Sequence, residues 1–488
     1  MKNVFFTGAT GLLGEYLLRD GLRSGERFVV LARPGKLESA RGRIESMLAR
    51  IEENLDRPLP RPVVLEGNLS APNLGLASQD LTWVSKNCDR ILHNAASLVF
   101  YTDEKTGEPA RSNINGTQNV LGLAEETGIR TFFHVSTSYI CGLRNDLCLE
   151  SQLDVGQDFG NDYERSKVAA EKMVRSAAFL DSLTVFRPAI IIGDSKTGYT
   201  STYHGFFTPL KVAHVLTANG SGMVLDGSPL LKAIGFDGSE RKNFVPVDWV
   251  SEVMTLVMRQ RESWGETYQL VPRNRVSVTT TMRVFEEVLR RFYADKAGKK
   301  ASAVQTTWTD VQEMFRSQMS VYRSYWRDDP EFDYTNVTRV APQRPCPDVD
   351  FAMLLRMAAF ALENGFGWPI KPPVLPEIDI DEKLNALRTN ASAGTFEVGL
   401  QVNGRGGGQW TLAVVPNSPM PIVGIASGLP VDSESLIYMN SETFVRLVRR
   451  LLTAVEALQS GCVSVRFDHR CDATPPQFPE LLLNVLAQ

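Results

Sequence analysis

Over the first 195 residues, short apolar runs rich in β-branched and aromatic side chains alternate with longer stretches whose apolar positions recur every three to four residues. Strands are predicted at Val4–Thr7, Phe28–Ala32, Pro62–Glu66, Arg90–His93, Thr131–Ser136 and Leu183–Arg187. Between them, helices are predicted at Leu12–Leu22, Ser39–Glu53, Ile114–Thr127 and Tyr163–Ala178. Strand–helix alternation of this kind predicts a parallel sheet with helices on both faces.

The pattern then loosens. Residues 198–242 mix glycine, tyrosine and apolar residues and read as a segment that covers a substrate. The side chains offered there are Tyr199, Tyr203, Phe206, Phe207, Leu210, Val212, Val215 and Leu216. Helices follow at Val247–Arg261 and Thr279–Tyr293, an amphipathic stretch with an aromatic run (Tyr322, Tyr325, Trp326) spans 303–328, and a helix at Asp350–Asn364 closes the region. GWPIKPPVLPEID disfavours both helix and central strand, which marks a linker. The organisation expected is therefore a domain over 1–370 with substrate segments at 199–242 and 270–370, a proline-rich linker at 371–380, and a small α/β domain over 381–488. In that last domain a helix at Asp381–Thr389 precedes strands near Thr395–Val402, Gln409–Val415 and Ile422–Ala426. One helix over Ser441–Leu458, capped by Ser441, presents Phe444, Leu447, Leu451, Val455 and Leu458 on one face. A strand at Cys462–Phe467 and an apolar helix complete it.

Composition narrows the function. Across 488 residues, 43% hydrophobic and 22% charged positions describe a globular protein, and a net charge of −4 provides no basic field for nucleic acid. No run reaches the roughly 18 apolar residues of a transmembrane helix. The opening MKNVFFTGATGLLG lacks the apolar core of a secretory leader, so a cytoplasmic location is expected. Six cysteines and five histidines show no metal-ligand spacing, so no metal is expected.

Candidate chemistry sits in three places. Gly8-Ala9-Thr10-Gly11-Leu12-Leu13-Gly14 follows the first strand and opens the first helix. Glycines at this spacing permit a tight turn, let backbone approach a pyrophosphate and leave helix N–H groups for the anion, as in a Rossmann-type doubly wound sheet. At the end of the second strand stands Arg33 rather than an acidic residue. With Arg43 it suits a 2′-phosphate and so NADP(H) over NAD. Asn68, after the third strand, is placed to reach the adenine. Tyr163 and Lys167, four apart on a predicted helix, share one face, so the ammonium can favour the phenolate. Upstream, FFHVSTSY ends a strand with hydroxyls at Ser136, Thr137 and Ser138, at the sheet edge where ligands bind.

Glycine loop, strand-end hydroxyl and YxxxK in this order resemble the extended short-chain dehydrogenases/reductases, and within them the male-sterility branch of fatty acyl-CoA reductases and carrier-protein thioester reductases. The similar stretches are TGATGLLG (7–14), LHNAASLVF (92–100), NINGTQNVLGLAEETG (113–128), FFHVSTSYICG (132–142), DYERSKVAAEKMV (162–174), FRPAIIIGDSKTG (186–198) and NFVPVDWVSEVM (243–254). EFDYTNVTRVAPQRPCPDVDF (331–351) is similar to segments in lipid-directed members. By position, the resemblance implies a catalytic trio of Thr137, Tyr163 and Lys167. It implies NADP(H) contacts from Gly8, Thr10, Gly11, Leu12, Gly14, Arg33, Arg43, Asn68, Leu69, Asn94, Ala95, Ala96, Asn115, Tyr163, Lys167, Pro188, Ala189 and Ile190. The implied reaction is hydride transfer from NADPH to an acyl thioester, acyl-CoA or carrier-bound, giving an aldehyde and, with a second hydride, an alcohol. An acyl carrier protein is an implied partner, and an oligomer is compatible with the pattern. Residues 380–488 resemble a sterol-carrier-protein-type lipid-binding domain, through QWTLAVVP, GLPVDSESLIYMNSETFVRLV and GCVSVRF.

The shared motifs leave other readings open. An extended short-chain enzyme acting on a sterol, a ketone or a nucleotide sugar has the same loop and YxxxK, although the apolar 199–225 segment suits an acyl chain or sterol better than a sugar nucleotide. A non-enzymatic lipid-binding protein regulated by bound dinucleotide would need only the pocket and not Tyr163.

Overall fold

The computed structural model describes residues 2–36, 38–56, 58–219, 231–232, 235–294, 308–369, 376–387, 396–415, 422–430, 435–466 and 477–486. Parts of the segments expected at 199–242 and 270–370, half of the linker at 371–380, and Cys471 lie outside the described residues.

The alternation read from the sequence is present as β1 (Asn3–Thr7), α1 (Leu12–Arg23), β2 (Phe28–Ala32), α2 (Ala40–Glu52), β3 (Val63–Glu66), α3 (Ser78–Asn87), β4 (Cys88–His93), α4 (Gly116–Thr127), β5 (Thr131–Val135), α5 (Asp162–Arg175) and β6 (Ser182–Pro188). Beyond them come β7 (Ile190–Ile192), α6 (Phe207–Asn219), β8 (Arg241–Lys242), β9 (Phe244–Pro246), α7 (Val247–Arg259), β10 (Thr267–Leu270), β11 (Val276–Ser277), α8 (Val278–Ala294), α9 (Trp308–Met319), α10 (Thr335–Val340) and α11 (Phe351–Glu363). The sheet has seven strands, not six, in the order β10-β6-β5-β4-β1-β2-β3. The pairs β1–β4, β4–β5, β5–β6, β6–β10 and β2–β3 are all parallel. This is a Rossmann-type α/β sheet whose strand order reverses between β1 and β4. The seventh strand, β10, escaped the apolar pattern because its polar residues are buried and satisfied. Gln269 donates its backbone N–H to Glu150 Oε1 (2.9 Å) and its side-chain amide to the Cys148 carbonyl (2.8 Å).

The chain divides into two compact units, residues 1–27 with 67–371 and residues 28–66 with 372–488. In the first, strand side chains such as Phe5, Phe6, Ile91, Phe132, Phe133 and Phe186 are fully buried, as expected of a sheet covered on both faces. Charged pairs are buried with them, the most enclosed being Arg187 with Glu171. Arg187 of β6 donates from Nε and Nη2 to the two oxygens of Glu171 on α5 (3.1 and 2.5 Å), and from Nη1 to the Glu150 carbonyl (3.1 Å). Both side chains are essentially inaccessible, and the fork geometry satisfies donors that water cannot reach.

A second apolar core gathers Phe206, Phe207, Leu210, Leu216, Phe285, Leu354 and Met357, with Tyr203 and Val212 packed against it. This revises the reading of 199–216. Phe206, Phe207, Leu210 and Leu216 face other core residues rather than open space, Val215 is exposed, and Tyr199 turns its hydroxyl onto Glu15 (3.0 Å).

In the second unit, α12 (Ile380–Ala386) precedes β12 (Phe396–Asn403), β13 (Gly408–Val414), β14 (Ile422–Ser427), β15 (Leu436–Asn440), α13 (Ser441–Val448), α14 (Ala454–Gln459), β16 (Val463–Arg466) and α15 (Phe478–Leu486). The five strands form one sheet in the order β14-β13-β12-β15-β16. Contacts from α2 explain why residues 28–66 group with it. Arg41 donates to the Gln409 carbonyl (2.9 Å) and lies 4.3 Å from the Trp410 ring centroid, while Gln401 donates to the Leu59 carbonyl (3.3 Å). The single helix expected at Ser441–Leu458 is two. Arg450 takes a left-handed φ of 58°, Thr453 and Glu456 form a capping box that starts α14, and Leu451 is two-thirds exposed at 66%. Asn440, not Ser441, caps α13, accepting from Thr443 N at 2.7 Å.

Removing the guanidinium of Arg187 leaves the Glu171 carboxylate buried with only Arg175 as a cationic partner. Arg187→Ala is expected to cost about 3–5 kcal/mol, read as a lowered urea midpoint of the first unit's transition. A midpoint equal to that of the unmutated protein would show that the pair is dispensable.

Candidate functional site

The carboxyl ends of β1 and β4 flank the point where strand order reverses, and the glycine loop leaves β1 there. Gly8 has φ +81°, and a Cβ on it would lie 2.5 Å from Ala95 N. A Cβ on Gly14 would lie 2.0 Å from the Gly8 carbonyl oxygen. Any side chain at either position would therefore collide with backbone. Asn94 donates its amide to the Gly8 carbonyl (3.0 Å), tying the two strand ends together. Gly11 caps α1 in extended conformation without a side-chain hydrogen bond. Thr10, Gly11 and Ala96 are exposed, whereas Leu12 and Gly14 are buried. Bare backbone beside a helix start fits a pyrophosphate.

Beneath this loop runs a directed chain of hydrogen bonds. Ala95 N donates to Thr7 Oγ1 (3.3 Å), which meets His93 Nδ1 at 2.8 Å. His93 Nε2 meets Thr117 Oγ1 at 3.0 Å, and that hydroxyl donates to the Asn113 carbonyl (2.6 Å). Since Thr117 spends its proton on Asn113, it accepts from Nε2–H, which leaves Nδ1 to accept from Thr7. His93 must then be neutral. Burial, with the nearby Lys167 charge, pushes its pKa down to about 3. His134, 5.6 Å away between ring centroids, is fully buried with neither ring nitrogen partnered among the described residues, and it is held far below the usual histidine range by burial.

Across the sheet edge stand the trio expected from sequence. Of the three hydroxyls after β5, Ser138 donates to the Arg187 carbonyl (2.6 Å) and Ser136 is buried. Thr137 Oγ1 lies 3.4 Å from the Pro188 carbonyl and hydrogen-bonds the Tyr163 phenol. Lys167 is buried and donates to the Val135 carbonyl (2.7 Å). Burial lowers its pKa to about 8, opposed by Glu171 one turn along α5. The phenol departs from the sequence expectation. Burial pushes Tyr163 up to about 12, against the Thr137 hydrogen bond, and Lys167 does not offset it. Tyr163 is thus a proton donor at neutral pH, not a phenolate.

An aromatic cluster begins at Tyr163. Phe100 lies 6.0 Å from it between centroids, and Tyr322 and Tyr325 lie 5.2 and 5.5 Å from Phe100. Asn161, the cap of α5, donates to the Tyr325 hydroxyl (3.1 Å). On the other side, Asp194 of the GDSKTG loop accepts from the Thr197 backbone (2.8 Å) and from Tyr16 of α1 (3.0 Å).

The remaining cofactor candidates divide. Pro188 and Ala189 end β6 beside Thr137, with Ala189 N on the Leu270 carbonyl (3.0 Å) and Ile190 N on the Asn243 carbonyl (3.0 Å). The Asn68 side chain accepts from Ser70 N (3.1 Å), and Leu69 holds Asn119 through its carbonyl (2.9 Å). Asn115 is exposed. The buried asparagine is Asn113, which bridges the Ser97 backbone (2.7 and 3.1 Å) and Ser166 (2.8 Å). NINGT offers both, and position in the motif does not say which one points inward; the half turn before α4 decides it. In the second unit Arg33 is exposed, and Arg43 donates to its carbonyl (2.7 Å).

Comparison with known proteins gives this chain a family. The male sterility protein family model matches residues 6–254. The chain is 27% identical over 280 residues to the Drosophila melanogaster fatty acyl-CoA reductase wat, covering 51% of this chain and 52% of that protein. It is 29% identical over 290 residues to the Aspergillus campestris non-canonical nonribosomal peptide synthetase cpsA, covering 55% of this chain and 25% of the synthetase. Among solved structures, the terminal R domain of the myxalamid PKS-NRPS pathway superposes with a TM-score of 0.58 at 23% identity, over 77% of this chain and 93% of that domain. The match therefore spans about half the reductase and a quarter of the synthetase. No described helix is long and apolar enough to cross a membrane.

His93 and His134 are expected to stay neutral between about pH 5 and 8. Histidine-labelled protein followed by NMR should show two ring signals without a pH shift, assigned by His93→Gln and His134→Gln. A normal midpoint for His93 would reverse the direction drawn for the relay.

Proposed function

The chain belongs to the male sterility family of NAD-binding proteins, and from that premise we propose that it is an NADPH-dependent reductase of fatty acyl thioesters. The observation that carries the reading is Tyr163 bonded to Thr137, its pKa raised by burial, with Phe100 against its ring and Tyr322 and Tyr325 against Phe100. Reduction of a carbonyl needs a proton donor where negative charge develops, and a phenol with a hydroxyl beside it is that donor pair. The aromatic surround suits the apolar end of an acyl group. The fatty acyl-CoA reductase and synthetase relatives support a thioester substrate.

When bound, NADPH supplies the hydride. Gly8, Gly11 and Gly14 would hold its pyrophosphate, Arg33 and Arg43 its 2′-phosphate, and Lys167 its nicotinamide ribose. Tyr163 and Thr137 hydrogen-bond the thioester oxygen as charge develops, and Tyr163 gives it a proton. The hemithioacetal then loses the thiol, so that thioester, NADPH and one proton become aldehyde, thiol and NADP+. A second round takes the aldehyde to an alcohol. We assign residues 1–370 to this reductase and 381–488 to a lipid-binding domain of the sterol-carrier type, a reading supported by its five-stranded sheet with amphipathic helices.

Purified protein with NADPH and long-chain acyl-CoA should lose NADPH and release thiol in step. Tyr163→Phe should reduce the rate by about 100-fold or more. NADPH binding without thiol release from any acyl thioester would overturn the substrate, and an active Tyr163→Phe would overturn the mechanism. For the cofactor, replacing both Arg33 and Arg43 with Ala should lower the preference for NADPH over NADH by about tenfold or more. An unchanged preference would place 2′-phosphate recognition elsewhere.

A further inference from the structure

The first unit carries a second polar cavity that the trio and the glycine loop do not use. Its volume is about 490 Å3, and its lining includes Arg241, Arg275, Arg283, Ser277, Thr280 and Asp350. Three guanidinium groups against one carboxylate in the wall make it a cation-rich hollow. Two of the arginines are held in place from outside the lining. Asp328 pairs with Arg241 (3.3 Å) and Arg275 (3.1 Å), and Glu331 pairs with Arg275 (2.9 Å). Arg283 differs. It is exposed, its guanidinium carbon lies 5.8 Å from the Phe351 ring centroid, and no carboxylate among the described residues pairs with it. Asp350 is already engaged as the cap of α11, accepting from Met353 N (2.8 Å). Ser277 and Thr280 place their hydroxyls 2.8 Å apart at the start of α8. Guanidinium forks beside hydroxyls recognise phosphate oxygens, and an arginine without a carboxylate has donors left for them.

One segment links the surroundings of the hollow to those of the trio. Lys242, next to Arg241 on β8, donates to the Tyr325 carbonyl (2.7 Å) and pairs with Asp329 (3.1 Å). The Tyr325 ring stands 5.5 Å from Phe100, which contacts Tyr163. Segment 325–331 therefore has an aromatic end facing the reacting group and an acidic end that orients the arginines.

We propose that this cavity binds the phosphate of the thiol carrier, with Arg283 as the residue that selects for it, so that a pantetheine arm reaches from the arginines to Tyr163. The proposal rests on the thioester reading and deepens it. Coenzyme A and a phosphopantetheinylated carrier protein share this phosphate, and both are sources for it.

The test compares acyl-CoA, the same acyl group on a phosphopantetheinylated carrier protein, and acyl-pantetheine, which has no phosphate, with Arg283→Ala, Arg283→Lys and the unmutated protein. CoA binding is measured in parallel by calorimetry on the full chain. Arg283→Ala should raise KM for the phosphorylated substrates by about tenfold or more with a much smaller effect on kcat, shift acyl-pantetheine far less, and be partly rescued by lysine. A response confined to the carrier-bound or the CoA substrate identifies the source and supports the site. Equal responses for phosphorylated and unphosphorylated thioesters, or none, overturn it while leaving thioester reduction intact. If the unmutated protein reduces no thioester, the functional reading fails, and calorimetry alone decides the cavity: CoA binding weakened about tenfold by Arg283→Ala supports a phosphate site, and unchanged or absent binding overturns it.

Discussion

The constraint on which the site depends is the closure of β1 onto β4 at the point where the strand order reverses. Two kinds of interaction enforce it. Steric exclusion admits only glycine at positions 8 and 14, because any Cβ would sit well inside van der Waals contact with backbone atoms. A one-way series of donors then joins Ala95, Thr7, His93, Thr117 and Asn113. Thr7, His93 and Thr117 each have one donor and one acceptor committed, so a charged His93 would turn one bond into a donor facing a donor. Burial keeps that state away. The glycine loop on one side and α5 on the other are thereby indexed to the same strand ends, through Asn94 on Gly8 and Asn113 on Ser166.

Charge is handled by placement rather than by quantity. Lys167, Glu171 and Arg187 lie buried in succession between α5 and β6. Glu171 takes the forked Arg187 and half-exposed Arg175, and its residual field opposes the desolvation of Lys167. A lone buried ammonium would be driven toward neutrality, and a lone buried carboxylate likewise. Together they keep Lys167 cationic to about pH 8 at the edge of the sheet.

Most of the parallel sheet was legible because strands buried on both faces are continuous apolar runs, and because the glycine spacing and YxxxK encode local geometry. What escaped was decided by tertiary partners. β10 reads as polar, yet Glu150 and the Cys148 carbonyl satisfy Gln269 in the core. Asn113 and Asn115 are equivalent in the motif, and only the irregular turn at Arg111–Asn115 turns the first inward. Leu451 and Val455 extend an apolar stripe that the chain abandons at Arg450, where a left-handed residue and the Thr453 cap restart the helix. The aromatic residues of 199–216 could face a ligand or one another, and periodicity does not distinguish these two outcomes.

The phenol is the instructive case. From spacing alone, a lysine four residues away argues for a lowered tyrosine pKa, because unlike charges attract. In the fold, Lys167 directs its ammonium to the Val135 carbonyl, and the phenol is desolvated by its surroundings, so burial dominates. The outcome matches the direction of the proposed chemistry better than a phenolate would. Oxidation of an alcohol needs a base to remove a proton, whereas reduction of a carbonyl needs an acid to deliver one. A tyrosine held protonated across the neutral range, with Thr137 sharing the oxygen it serves, is poised for the second task. Phe100 against its ring, with Tyr322 and Tyr325 against Phe100, forms the aromatic wall that the proposed acyl substrate requires.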